Sequence, residues 1–161
     1  MMIAVDEIWE LLDEVKDPEI PVVSLVEMGI VRDVEISADN AVTIIITPTF
    51  SACPALQVMK RDIVERLKDA GIQDVKVKVV YAPPWTTDWI SSAAREKMRA
   101  FGLAPAPQHG GNFEVKLLDA VACPYCGSLR TSIRNSFGST PCRMIYYCDT
   151  CQQPFEQMKP L

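Results

Sequence analysis

Ile30-Val31-Arg32-Asp33-Val34-Glu35-Ile36-Ser37-Ala38-Asp39-Asn40-Ala41-Val42-Thr43-Ile44-Ile45-Ile46-Thr47-Pro48 decides the fold class of this chain. Two runs rich in β-branched residues, 30–36 and 41–47, flank Ser37-Ala38-Asp39-Asn40, so the stretch reads as a β-hairpin with a four-residue loop. Pro48 ends the second strand, because its ring nitrogen has no hydrogen for the ladder. Toward the N-terminus, Val5, Ile8, Trp9, Leu12 and Val15 recur at helical spacing with acids between them, and Pro18 and Pro21 forbid continuation. This is an amphipathic first helix. Toward the C-terminus, Pro54 suits the first turn of a helix whose Leu56, Met59, Ile63, Val64 and Leu67 share a face and whose stop is Gly71. Val75, Val77 and Val79 then alternate with Lys76 and Lys78 as a third strand. Beyond Tyr81-Ala82-Pro83-Pro84-Trp85, the residues Thr86-Thr87-Asp88 offer a cap for a final helix from about Trp89 to Phe101. The order αββαβα is that of an α+β domain.

Length and composition bound the rest. A chain of 161 residues, 48% of them hydrophobic, has room for one ordinary domain plus a small satellite. Leu103 to Gly111, with Pro105, Pro107 and Gly110-Gly111, has the composition of a linker, which divides the chain into 1–102, a linker 103–111 and a second unit 112–161. The formal net charge of −5, with the acids concentrated in the first unit, argues against a nucleic-acid partner, since phosphate binding rests on Lys and Arg. Met1 to Glu7 lacks the basic start and apolar run of a signal peptide, and no stretch approaches ~18 uncharged apolar residues. The expectation is a cytoplasmic protein with no membrane partner.

In reducing cytosol, paired C-x-x-C spacings point to metal rather than to disulfides. Cys123-Pro124-Tyr125-Cys126-Gly127 and Cys148-Asp149-Thr150-Cys151 form two such knuckles. Each tight turn aims two sulfurs at one ion, and Gly127 lets the backbone turn back past it. Arg130 to Tyr147 is long enough for strands that return the chain to the second knuckle. This resembles a zinc ribbon, and a unit of this size needs such a staple. Four-sulfur tetrahedral geometry suits iron as well as zinc. With all four positions filled by protein the site is closed, which makes it a scaffold rather than a catalyst. Arg130, Arg134 and Arg143 are too few for a nucleic-acid patch, and Cys142, lacking a C-x-x-C partner, reads as a packing residue.

Cys53 stands between the loop Thr47-Pro48-Thr49-Phe50-Ser51-Ala52 and the helix expected from Pro54. A thiol there faces unpaired backbone N–H groups and the positive end of the helix dipole, which favours its thiolate. The lone histidine, His109, lies in the expected linker, so Cys–His nucleophilic catalysis has little support. Asp17-Pro18-Glu19, taken alone, is an acidic helix stop.

Asp17-Pro18-Glu19-Ile20-Pro21, Leu25-Val26-Glu27-Met28-Gly29-Ile30-Val31 and Thr47-Pro48-Thr49 with Cys53-Pro54 resemble, in the same order, the motifs of the small domain of bacterial SufT proteins and eukaryotic cytosolic iron–sulfur targeting factors. Pro83-Pro84-Trp85-Thr86-Thr87-Asp88-Trp89-Ile90 and the appended ribbon make nearly the whole chain similar to the PaaD family, accessory proteins encoded with the bacterial phenylacetyl-CoA epoxidase of aerobic phenylacetate degradation. Met28 stands where many relatives of the wider domain have Leu.

The resemblance implies a SufT-like αββαβ(α) domain followed by a four-cysteine zinc ribbon. Its implied role is accessory rather than enzymatic: assembly of an iron–sulfur cluster, or its delivery to the epoxidase system, with the reductase component as client. Cys53 would be the reactive thiol or transient cluster ligand, supported by Asp17, Glu19, Thr47 and Thr49. Zinc would be structural at Cys123, Cys126, Cys148 and Cys151. One thiolate leaves a cluster incompletely ligated, so a second copy of the chain, a small thiol or the client must contribute. The rival reading is a non-catalytic structural or regulatory subunit of the epoxidase assembly, using Trp85, Trp89 and Phe101 as an interface.

Overall fold

The computed structural model describes residues 3–112 and 120–161. The chain divides into two compact units, one comprising the residues up to Trp85 with Trp89–Ala94, the other Thr86–Asp88 with Arg95–Leu161. The start of the ribbon unit expected at residue 112 runs into 113–119, outside the described residues.

In the first unit, helix α1 covers Val5–Asp13. Ala4 caps it without a side-chain acceptor, and its N–H instead donates to Glu7 Oε2 at 3.1 Å. Ile8 and Leu12 are fully buried, while Val5 at the start of the helical stripe is exposed. Strands β1 (Val31–Ile36) and β2 (Val42–Ile46) form the expected antiparallel hairpin, closed by Ser37 N–H to Ala41 O, with Asn40 at φ 60° supplying the left-handed turn residue.

Helix α2 covers Leu56–Asp69 and buries Met59, Ile63 and Leu67. Its end is a Schellman motif, with Gly71 (φ 95°) donating to Lys68 O and Ile72 N–H to Leu67 O. Strand β3 (Val75–Val79) pairs parallel to β2, so α2 is the crossover of a β-α-β unit. The sheet order is β1-β2-β3, and Ile44, Ile46 and Val42 form its buried face.

Two boundaries differ from the sequence reading. Helix α2 begins at Leu56 with Ala55 as its cap, not at Pro54, because Leu56 N–H bonds Cys53 O three residues back and closes a tight turn first. Helix α3 covers Ser92–Phe101 rather than starting at Trp89, with a single 3₁₀ turn over Thr87–Trp89 before it. Ser91 Oγ accepts the Ala94 N–H, so Ser91 marks the helix start instead of Thr86-Thr87-Asp88.

The second unit holds a four-stranded sheet in the order β4-β7-β6-β5: β4 Leu103–Ala104, β5 Thr131–Asn135, β6 Arg143–Cys148 and β7 Gln153–Met158. β4 pairs parallel to β7; β6 pairs antiparallel with both β5 and β7. Ala104, Cys123, Met144, Tyr146, Cys148 and Phe155 form its apolar centre, with Tyr146 and Phe155 stacked at 5.7 Å.

Residues 103–110, of linker composition, carry tertiary structure in this unit. Leu103 and Ala104 are the parallel edge of the sheet, Ala106 O accepts an Arg95 N–H, and Asp88 accepts the His109 and Gly110 N–H groups at 2.9 and 2.8 Å. Pro105 and Pro107 belong to a stretch without periodicity, and composition registers that lack without registering the partners that fasten the stretch.

Candidate metal centre and reactive-thiol loop

The knuckles are built by local hydrogen bonds. In the first, Gly127 N–H reaches Cys123 O and Cys123 N–H reaches Ser128 O, both at 2.9 Å, with Gly127 at φ 75° as the sequence required. In the second, Gln152 N–H reaches Cys148 O at 2.9 Å, and Gln152 takes the left-handed position at φ 59° with a full side chain. Strands β6 and β7 lead in and out of this turn, which holds the strained residue in place. Ser128 Oγ and Thr150 Oγ1 meet at 2.7 Å and link the two turns. No sequence signal pointed to that pair.

The four Sγ atoms lie within 4.8 Å of one another. A metal–sulfur bond of about 2.3 Å in a regular tetrahedron sets sulfur–sulfur edges of about 3.8 Å. Cys123–Cys151 and Cys126–Cys148 stand at 3.7 and 3.6 Å, so the donor set fits a tetrahedral thiophilic cation. The surroundings of the four thiols set their acidities apart. The Cys151 N–H draws Cys148 down to about 6, against its burial and with help from the Thr150 N–H. Burial, then the other three sulfurs, pushes Cys151 up to about 12. Four adjacent thiolates repel one another, and a bound divalent cation removes that repulsion. Cys123 and Cys148 are buried, Cys151 is half-buried and Cys126 faces solvent. Cys142 stands outside the cluster, buried, with Thr140 Oγ1 3.0 Å from its sulfur.

The second constellation lies in the first unit. The loop from Thr47 to Ala55 leaves the carboxyl end of β2 and enters α2, so topology puts Thr47, Thr49 and Cys53 at the carboxyl end of the parallel pair β2–β3. Thr47 is buried and its N–H bonds Ile30 O at 2.9 Å, Thr49 is half-buried, Phe50 is exposed, and Cys53 is half-buried with its N–H on Phe50 O.

Asp17 and Glu19 lie on a separate turn after α1. Asp17 is buried, and its Oδ1 accepts the Glu19 and Ile20 N–H groups at 2.8 and 2.9 Å, so the carboxylate organises the Pro18–Pro21 turn. Main-chain bonds connect the turn to the thiol loop in steps: Asp17 N–H to Val23 O, Leu25 N–H to Val15 O, Ile30 N–H to Leu25 O, and Thr47 N–H to Ile30 O.

Gly29, at φ 68°, sits against Trp89; a Cβ there would come within 2.6 Å of Trp89 Cβ. Trp85 is buried, with its indole N–H on Met28 O at 2.9 Å, and the Arg32 guanidinium lies 3.6 Å over the Trp89 ring. This corrects the interface reading at Trp85. Trp85 is a core residue that fastens the Leu25–Val31 loop and Trp89 is covered by Arg32; of the three aromatics, Phe101 is the exposed one. The indole's need for a hydrogen-bond partner was the available signal.

Residues 5–79 match the family model described as iron-sulfur cluster assembly protein, and residues 108–159 match that of the PaaD zinc beta ribbon domain. Over 155 residues the chain is 40% identical to an Escherichia coli K12 protein named as a putative subunit of 1,2-phenylacetyl-CoA epoxidase, covering 96% of this chain and 92% of that one. The chain belongs to the PaaD family. Its first unit is similar to an Fe-S protein maturation auxiliary factor of Porphyromonas gingivalis, at 35% identity over 92 residues, 55% of this chain and 85% of that protein. The crystal structure of a DUF59 domain from Bacillus anthracis superposes with a TM-score of 0.53 at 29% identity, over 56% of this chain and 86% of that one. This PaaD-family chain is thus an α+β iron–sulfur assembly-like unit joined to a four-cysteine ribbon. Among its described residues no helix is long and apolar enough to cross a membrane.

Proposed function

We propose that this chain is a cytoplasmic, non-enzymatic accessory factor that assembles or delivers an iron–sulfur cluster for the phenylacetyl-CoA epoxidase system, with the reductase component as its client. The observation that carries the reading is the assembly-family unit presenting a half-buried cysteine on the loop where β2 passes into α2. Cys53 is the transient ligand of the cargo cluster. Thr47, Thr49, Asp17 and Glu19 shape the loops around it. Delivery is ligand exchange: a client thiolate forms an Fe–S bond as the Cys53–Fe bond breaks, and the proton released by the client thiol balances the one Cys53 takes up. A single protein thiol suits release, whereas a closed four-cysteine site would hold the iron. The ribbon cysteines hold zinc as a structural ion, and the remaining ligands of the cargo come from a second copy, a small thiol or the client.

The test is Cys53→Ala. Anaerobic reconstitution with iron and sulfide should load the wild type and transfer the cluster to apo-reductase, read by visible and Mössbauer spectra. The variant should keep its fold and zinc and fail in transfer. In cells, its reductase should carry flavin but little iron or sulfide. A reductase that keeps its full cluster beside Cys53→Ala would refute the proposal and leave the structural-subunit reading in its place.

A further inference from the structure

Among the described residues, strand β5 leaves the Ile133 end of an apolar row uncovered at the edge of the ribbon sheet. Among the described residues β5 is the outermost strand, beside β6. The register sets Ile133 opposite Tyr146 and Tyr146 opposite Phe155, so the three side chains form one row across one face. Tyr146 and Phe155 are buried and stacked, yet Ile133, at the open end of the row, is 51% exposed. Leu129 before the strand and Phe137 after it are 62% and 68% exposed. An exposed apolar side chain on an edge strand, with two more at its flanks, is what a monomer ordinarily avoids, because the edge offers unpaired backbone groups to any passing strand.

The charges beside this edge narrow the occupant. Arg134 lies 5.0 Å over the Tyr147 ring and Lys159 4.8 Å over Phe137, so two cations are held against aromatics at the strand and its flank. Neither has a carboxylate in ion-pair range among the described residues. Two copies of β5 meeting across a twofold axis would bring these like charges together, which disfavours self-pairing. An acidic polypeptide is attracted by the same charges.

We propose that β5 is a docking edge, on which an extended client segment, apolar at its centre and flanked by acidic residues, adds as a further strand. The proposal rests on the accessory-factor reading above for the identity of the client. It assigns the recognition step to the ribbon, where Ile133 is the apolar anchor and Arg134 and Lys159 set the charge preference.

The full-length chain, zinc-loaded, is titrated against the purified reductase and oxygenase components of the epoxidase, with amide exchange followed across residues 129–137. One component should bind, β5 amides should slow, and Ile133→Glu should weaken binding tenfold or more while Ile133→Val stays within about twofold. Raising ionic strength should weaken the wild-type complex. Zinc content checks the fold of Ile133→Glu, and Phe137→Glu, at a more exposed position, replaces it if that fails. Binding by none of the components, protection confined elsewhere, wild-type affinity in the soluble variant, or self-association abolished by Ile133→Glu would each overturn the proposal. Cys53→Ala separates the two readings: it should dock like wild type. Docking with normal cluster transfer sinks cluster delivery through Cys53 and leaves the edge standing; loss of transfer with β5 indifferent does the reverse.

Discussion

Gly29→Ala tests whether the first unit depends on the packing of the Leu25–Val31 loop against Trp89. Gly29 has φ 68°, and an added Cβ would sit 2.6 Å from Trp89 Cβ and 2.8 Å from Trp89 O. Two penalties add. A non-glycine residue in the left-handed region costs roughly 1–2 kcal/mol. Overpacking a close contact costs about 1–3 kcal/mol, because the neighbours are the root of a side chain and a backbone carbonyl, neither of which swings aside.

Gly71 supplies the control. Its φ is 95°, and a Cβ there meets nothing within 4 Å, so Gly71→Ala suffers the backbone penalty alone. The expected difference between the two variants is about 2 kcal/mol, or a gap of roughly 8–16 °C in melting temperature for a unit of this size. All three tryptophans, Trp9, Trp85 and Trp89, belong to the first unit, so tryptophan emission during urea or thermal unfolding follows that unit alone. Equal destabilisation by Gly29→Ala and Gly71→Ala would refute the argument and show that the loop yields freely at Trp89.

Three further outcomes follow from other contacts. Trp85→Phe leaves Met28 O without its buried donor and should cost about 1–3 kcal/mol by the same emission, with no cost expected if water replaces the indole N–H. The wild type should carry about one zinc per chain by elemental analysis, and Cys148→Ser or a strong chelator should unfold the second unit, lowering tyrosine near-ultraviolet dichroism while tryptophan emission persists; a red, iron-loaded protein would contradict the zinc assignment. Burial pushes the Asp88 carboxyl up, but the His109 and Gly110 N–H groups, with His109 and Arg95 nearby, hold it below its ordinary 3.8. A depressed carboxyl stabilises above that ordinary value and loses its contribution as pH falls through the lower, folded value. Asp88→Asn should therefore destabilise the second unit by about 1–2 kcal/mol near pH 7 and flatten its acid-induced loss in dichroism melts, and an unchanged acid profile would count against the contact.

Much of the architecture was legible in the chain because its causes are local. Alternation in Val75–Val79, the hairpin turn at Ser37–Ala41, the glycine stop at Gly71 and the knuckle glycine Gly127 each depend on a few adjacent residues. The ribbon cysteines belong with these, since C-x-x-C spacing confines two sulfurs to one turn before any tertiary contact exists. Cys53 lies on the loop before α2 but not at its cap as the sequence suggested, because the turn closed by Cys53 O and Leu56 N–H delays the helix by two residues and makes Ala55 the cap.

What the tertiary structure decided is what distant segments do to one another. Trp85 reads as an interface candidate until Met28 O, 57 residues away, accepts its indole N–H. Leu103-Ala104 reads as linker until Glu156 and Gln157 pair with it. Asp17 reads as decoration until the Glu19 and Ile20 amides turn toward it. Side-chain type and spacing set which bonds a residue is able to make, and for a strand edge, a buried indole or a two-residue β-strand the partner is chosen only when the folded chain brings it within about 3 Å, a distance no local pattern encodes.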